Sequence, residues 1–420
     1  MNNSYSAQSG GRSPYNKRNP SEGSSLKQAA RSGGKQRIKG TKQKFKLFSA
    51  RLGLDMPFCA LIMILLVIGL IMMFSASYPY AYYNSGSGDS YFYLKRQLIF
   101  AVAGFFIMII LSYFDYHHFH RLAVPIMAVA LILLVVVLFM PNELGVYRWI
   151  NLGIFTFQAS EVAKFAIILF IAHWGSVNFK QMDTFKIGVL PCLIVYGLVV
   201  LLLYLEPHYS CIVIITALTG IMMFLSGVRI RYFAIAIGAI GALVLFLLIT
   251  DNLSYAMERL DGWGQALEYT TEKMWQTTWQ TRNSMYAIGS GGLWGLGLGQ
   301  SRQKYLYLPE PQNDFIFAIV CEELGFIGAV IILLIFAALV WRGITLSRKA
   351  KDKFGSLLGI GLTAQIGLQV VLNILVITDW LPNTGISLPF FSYGGTSLVM
   401  ILAQMGIVLS ISRTSNVEKV

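Results

Sequence analysis

Predominantly apolar stretches recur along nearly the whole chain, separated by short polar joints, at approximately residues 56–77, 98–114, 122–140, 161–174, 187–205, 209–225, 232–250, 315–341, 354–377 and 391–411. Most can cross a hydrocarbon core of roughly 30 Å as a helix. In lipid a spanning segment must satisfy its own backbone hydrogen bonds, which helices of this length do. The pattern predicts an all-α polytopic membrane protein with about ten transmembrane helices over residues 52–413. The fourth run is short, and a tight basic turn separates the sixth from the seventh. The first run follows some 50 polar residues without a small-residue cleavage site, so it is expected to be a retained span and not a signal peptide.

Composition agrees with a lipid-solvated chain. Apolar residues make up 55% and charged residues 13%, against about 25% charged in a soluble domain. The net charge of +13 could suggest a nucleic-acid partner, but it is concentrated in one tail. Residues 1–51 carry twelve Lys/Arg and one acid, Glu22, a net of +11, which leaves 13 − 11 = +2 for the rest. That Ser-, Gly- and Gln-rich tail is expected to be disordered, cytoplasmic and drawn to membrane lipids, not to nucleic acid. With the tail inside, an even number of spans returns residues 414–420 to the cytoplasm as a second short tail.

The remaining charges test this parity. Arg229 and Arg231, and then Arg342, Arg348, Lys349, Lys351 and Lys353, fall in joints assigned inside. The long connection 251–313, assigned outside, holds five basic residues against six acids, as the positive-inside rule requires. Trp263, Trp275 and Trp279 punctuate it, the last two at i,i+4, which predicts a helix lying along the headgroup layer. The four cysteines lie inside or at the ends of apolar runs without metal-ligand spacing and read as small core residues.

Most of the unusual chemistry falls on the outward side. Arg148-Trp149 precedes Ser160-Glu161, with Lys164 three residues after Glu161. On a helix that pair shares a face, either as a structural ion pair or as charges facing a cavity. Glu206-Pro207-His208 breaks the chain between two spans, and a hydrogen-bonded turn accounts for His208. Gly291 to Gly299 form a glycine-rich run whose amides could face a pyrophosphate, though no strand precedes it as in a dinucleotide fold. Asp314 opens the eighth span, either as a helix cap or as a general base whose pKa burial would raise. Glu322 and Glu323 follow inside that span, and at least one should face the protein interior. The stretch 381–397 holds two prolines and three glycines and cannot continue a helix, so it must line a cavity or be buried in protein. His117, His118 and His120 read as interfacial loop residues and not as a metal cluster.

Leu308-Pro309-Glu310 with Asn313-Asp314-Phe315-Ile316-Phe317-Ala318, Glu322-Glu323-Leu324-Gly325, and Leu388-Pro389-Phe390-Phe391-Ser392-Tyr393-Gly394-Gly395 resemble the SEDS family of shape, elongation, division and sporulation proteins. The resemblance covers roughly residues 55–411. Lys304 ahead of Tyr307-Leu308-Pro309-Glu310, and Thr384-Gly385 ahead of Leu388-Pro389-Phe390, are more similar to the FtsW-like division and sporulation members than to the elongation member RodA. Ala159 stands where the family usually has Pro, His208 and Ser210 where it often has Asp and Thr, and Gln312 and Asn313 where His and Thr are frequent.

The resemblance implies a peptidoglycan glycosyltransferase of the bacterial cytoplasmic membrane, acting at the division septum. It would polymerise lipid II into β-1,4 glycan strands and release undecaprenyl pyrophosphate. Asp314 is then the catalytic carboxylate. Arg148, Trp149, Lys164, Glu161, Arg259, Lys304, Ser392, Gly394 and Gly395 are the expected substrate and pyrophosphate contacts, and Glu206, Glu310, Glu322 and Glu323 support them. No nucleotide is called for, and a divalent cation, Mg2+ or Mn2+, at Asp314 is left open. The implied partners are lipid II, the nascent glycan strand, a class B penicillin-binding protein transpeptidase and other division proteins. Two other classes fit part of the pattern: a lipid II flippase, to which broken helices and an intramembrane Glu/Lys set are suited, and a non-catalytic scaffold for the transpeptidase.

Overall fold

The computed structural model describes residues 53–84, 88–140, 148–151, 156–238, 263–268 and 272–415. The basic tail and Arg259 lie outside them. The described chain is a helical bundle: α1 (Met56–Asn84), α2 (Phe92–Tyr113), α3 (His117–Leu138), α4 (Ala159–Val177), α5 (Leu190–Leu205, entered through a π turn at Phe185–Val189), α6 (Tyr209–Leu225), α7 (Glu272–Thr277), α8 (Trp279–Ser290), α9 (Ile316–Arg348), α10 (Lys353–Ile377) and α11 (Gly395–Ser415). Eight helices are long and apolar enough to cross a membrane, and α6 is a shorter apolar helix of 17 residues. The seventh expected span begins as helix at residue 230 and continues outside the described residues.

Burial sorts these helices into core and rim. The most apolar window of α4 has a mean hydropathy of only 1.3, yet 72% of it is buried, whereas α2, at 2.0, is 22% buried. Helices α4, α10 and α11 are therefore wrapped by protein, which lets α4 carry Glu161 and Lys164 without presenting them to lipid. The rim helices spend their apolar residues on the bilayer.

The connection before α4 holds a short hairpin, in which Trp149–Asn151 (β1) and Thr156–Gln158 (β2) pair antiparallel with Trp149 opposite Gln158. Two local expectations are corrected. His117, His118 and His120 belong to the first turn of α3, where Asp115 receives the backbone N–H of His117 and contacts its Nδ1 at 2.7 Å. Trp275 and Trp279 do not share one helix, because the chain breaks at Thr278, although their rings remain 5.7 Å apart.

The glycine run has a structural task instead of an anion-binding one. Helix α9 breaks at Gly325 (φ 68°, ψ −175°), which leaves the flanking peptide groups without helical partners. The run supplies them: Leu296 and Gly297 N–H donate to the carbonyls of Glu322 and Glu323 (2.9 and 3.0 Å), while Phe326 and Ile327 N–H donate to Gly292 and Leu293 (2.9 and 3.2 Å). Glu322 accepts from Ser301 Oγ and the Arg302 amide, and Glu323 from Ser75 Oγ and Lys304 Nζ, the last two at 2.7 and 2.8 Å. Both carboxylates are buried, so the acids expected to face the interior hold the loop onto the broken helix.

Candidate functional site

The fold leaves a cavity of about 930 Å3, lined from α2, the β-hairpin, α4, the start of α6, residues 310–314, α10 and the irregular stretch before α11. The β-hairpin delivers Arg148 and Trp149 to its wall, and the first two turns of α4 deliver Glu161 and Lys164. Lys164 Nζ donates to Glu161 Oε1 at 2.8 Å while Glu161 Oε2 is buried without a hydrogen-bond partner. The pair is thus both a structural ion pair and part of the cavity wall. Arg148 Nη2 donates to the carbonyl of Pro207 at 2.6 Å, which fixes the guanidinium against the α5–α6 turn.

The acids come from the segment before α9. Asp314 does not cap that helix: Phe315 occupies the cap position and no side chain bonds the first turn. Its carboxylate lines the cavity, with Oδ2 against Gly385. Burial raises its pKa to about 6, nearby Glu310 pushes the same way, and Arg148 opposes. Glu310 also lines the cavity and accepts from Tyr80 Oη and Asn313 Nδ2, at 3.4 and 2.8 Å.

Residues 381–394 form the remaining wall and are fastened at several points. Asn373, wholly buried in α10, donates to the carbonyls of both Asp314 (2.7 Å) and Ile386 (2.6 Å). Ser392 Oγ accepts from Leu388 N–H and donates to the Asn313 carbonyl, each at 2.7 Å. Gln97 receives Gly394 N–H and donates to the Ser392 carbonyl. The hydroxyl of Ser392 therefore positions backbone, while the residue also lines the cavity. Gly385 has φ +68°, and a Cβ there would lie 2.9 Å from Asp314 Oδ2. Gly385→Ala should thus displace the carboxylate, lowering turnover at least ~10-fold while the protein still elutes as folded material in detergent.

Other expected contacts fall elsewhere. Lys304 is absent from the cavity lining; it is 3% exposed and pairs with Glu323 at 2.8 Å, because the glycine loop turns it toward the break in α9. Glu206 sits behind the cationic wall, 1% exposed, with burial raising its pKa to about 8 against the pull of Arg148. His208 is more than a turn residue: its ring lines the cavity, Nδ1 is buried without a partner, and burial, then Arg148 and Lys164, lower its pKa to about 3. It is neutral at physiological pH.

The hydrophobic pattern overlooks Arg96, Gln369 and Asn373. Arg96 did leave a trace, since Lys95 and Arg96 are basic residues at a span end that parity assigns to the outside, where the charge rule disfavours them. Gln369 and Asn373 are single polar residues in an apolar run, four apart and so on one helix face.

These features define an integral membrane protein whose large cavity is lined by the acids Asp314, Glu310 and Glu161 and by the cations Arg148 and Lys164. The chain belongs to the FtsW/RodA/SpoVE family of cell cycle proteins, whose model matches residues 56–417. It is 39% identical over 368 residues to stage V sporulation protein E of Bacillus subtilis (strain 168), an alignment spanning 86% of this chain and 97% of that one. It is 36% identical over 348 residues to the probable peptidoglycan glycosyltransferase FtsW of Geobacter sulfurreducens (strain DL-1 / KN400), spanning 82% and 91%. The fold matches rod shape determining protein RodA of Thermus thermophilus (TM-score 0.62, 24% identity, 87% of this chain and 98% of that one). It also matches a chain of a peptidoglycan synthase complex (TM-score 0.70, 24% identity, 87% and 100%).

Proposed function

We propose that this protein polymerises lipid II at the outer face of the bacterial cytoplasmic membrane, as an inverting peptidoglycan glycosyltransferase serving division or sporulation. The observation that carries this reading is the Asp314 carboxylate, held by burial at a pKa near 6 in a cavity shared with Arg148 and Lys164. Membership of a family containing probable peptidoglycan glycosyltransferases supports it.

In this mechanism Asp314 accepts the proton of the acceptor sugar's 4-hydroxyl as that oxygen attacks the donor's anomeric carbon. The bond from that carbon to the diphosphate oxygen breaks, undecaprenyl pyrophosphate leaves with the electron pair, and an α-linked donor becomes a β-1,4 linkage. Arg148 and Lys164 stabilise the charge that develops on the diphosphate. No nucleotide is consumed, because the diphosphate already activates the sugar. The acidic side, with Asp314, Glu310 and the unpartnered Asn313 Oδ1, is a set of hard oxygen donors that fits Mg2+ or Mn2+. Such an ion would add positive charge beside the phosphates. Glu206, kept neutral, adds no negative charge behind Arg148. The peptidoglycan synthase complex among the fold's neighbours supports a partner transpeptidase of the class B penicillin-binding type.

The test is purified full-length protein in detergent supplied with lipid II, with and without Mg2+ or Mn2+. Glycan strands are expected, and detergent leaves no membrane sides for a flippase to connect. Folded protein that forms no glycan under either condition overturns the proposal.

A further inference from the structure

The proposed reaction joins two lipid-linked molecules, and each carries a diphosphate. One is the leaving group, met by Arg148 and Lys164. The other stays attached to the acceptor, a disaccharide's length from the hydroxyl that Asp314 deprotonates, and nothing in the mechanism above receives it.

Arg96 is a third cation on the cavity wall, and it stands on another element. It lies in the second turn of α2, which packs chiefly on α11 and α1, whereas Arg148 and Lys164 belong to the β-hairpin and α4. Its guanidinium lies over the Phe92 ring, 4.2 Å from the centroid, and no described carboxylate lies within ion-pair distance of it. The adjacent Lys95 is taken by Asp89 at 2.8 Å. Stacking on one face orients a guanidinium while leaving its N–H edge open, the geometry that grips phosphate oxygens two at a time.

The surroundings fit a lipid-linked anion. One turn further along the same face of α2, the Phe100 ring packs so closely on Gly395 that a Cβ there would come within 2.2 Å of it. That contact sets Arg96 above the Gly394–Ser397 stretch, and Ser397 also lines the cavity. Ile99, 68% exposed, lines the cavity beside them. A headgroup seated at Arg96 would thus leave its polyprenyl chain next to an apolar side chain that faces the bilayer.

We infer that Arg96 marks a second diphosphate subsite, which holds the acceptor lipid while Arg148 and Lys164 hold the donor's leaving group. The inference rests on the polymerase reading, and analogues can separate the two substrates. A lipid II with its 4-hydroxyl capped serves only as donor. A lipid II whose anomeric oxygen is replaced by methylene serves only as acceptor, and a free methyl glycoside of the disaccharide is an acceptor without diphosphate.

Assayed with full-length protein, Arg96→Ala should raise KM for the methylene-linked acceptor at least ~10-fold. KM for the capped donor should stay within ~2-fold, and the wild-type preference for the diphosphate-bearing acceptor over the methyl glycoside should collapse. Arg96→Lys should restore part of the preference, since charge remains without the fork. Arg148→Ala should affect the donor instead.

Equal effects on both substrates, or none, would overturn the subsite. So would a loss that is the same for every acceptor and follows the phosphatidylglycerol content of reconstituted membranes, because Arg96 would then bind a bulk lipid phosphate. If wild-type protein makes no glycan at all, the polymerase reading has failed first. If it polymerises and Arg96→Ala behaves as wild type, only the subsite has failed.

Discussion

Asp314→Asn is expected to reduce glycan synthesis by ~10²–10⁴-fold, the usual contribution of a positioned general base, and to leave the fold intact. The substitution keeps the side chain's volume but removes the proton acceptor. Asn373 donates to the backbone carbonyl of this residue at 2.7 Å, a bond that does not depend on the side chain. Burial raises the folded-state pKa to about 6, above the unfolded carboxylate value. Ionisation therefore disfavours the folded state as pH rises through this range, and the Asn variant should melt no lower than wild type at pH 7.5. The same value sets the wild-type pH profile. Activity should fall as pH drops through about 6, by tenfold per unit well below it, as the base becomes protonated. Rates of polymerisation between pH 5 and 8, alongside thermal unfolding of both proteins in detergent, check all three statements. Full activity in folded Asp314→Asn would remove the carboxylate from the chemistry.

Gly325→Ala should prevent accumulation of folded protein, at a cost above ~3 kcal/mol. The backbone there has φ +68°, and an added Cβ would lie 2.2 Å from the Gly295 nitrogen and 2.6 Å from the Leu293 carbonyl oxygen. Those neighbours are backbone and cannot rotate away. Retreat of the loop would also strip hydrogen bonds from the peptide groups of residues 322–327. Gly299→Ala is the control: it has a similar φ of +80° with nothing within 4 Å of the added Cβ, so only the left-handed penalty of about 1 kcal/mol applies. Size-exclusion profiles and unfolding temperatures of the two variants should separate widely. Similar behaviour would mean that the interlock contributes little.

How much of the site could be read from the chain depends on how local each signal is. Glu161 and Lys164 were legible because i,i+3 spacing on a helix places them together without help from the rest of the fold. Asp314 was recognisable by its motif, but its neighbours left it open to a capping role, and only the packing of 381–394 turns its carboxylate against Gly385. Lys304 shows the opposite outcome. It looked available for a phosphate on a polar outer loop, yet a helix break about twenty residues later draws it into an ion pair. In the glycine run, the amides of Leu296 and Gly297 are likewise taken up by the carbonyls of Glu322 and Glu323 across that break.

By itself, the sequence determined the solvent and the element type. Apolar runs of bilayer length leave a backbone no option but helix. Tertiary structure alone decided which helices are core, which charges are spent on one another and which face the cavity. Those outcomes depend on contacts between residues up to about 300 positions apart, such as Gln97 with Ser392 and Gly394. A local pattern of polar and apolar positions carries no record of such distances, because a buried carboxylate and a reactive one are the same letter until packing gives one of them a partner.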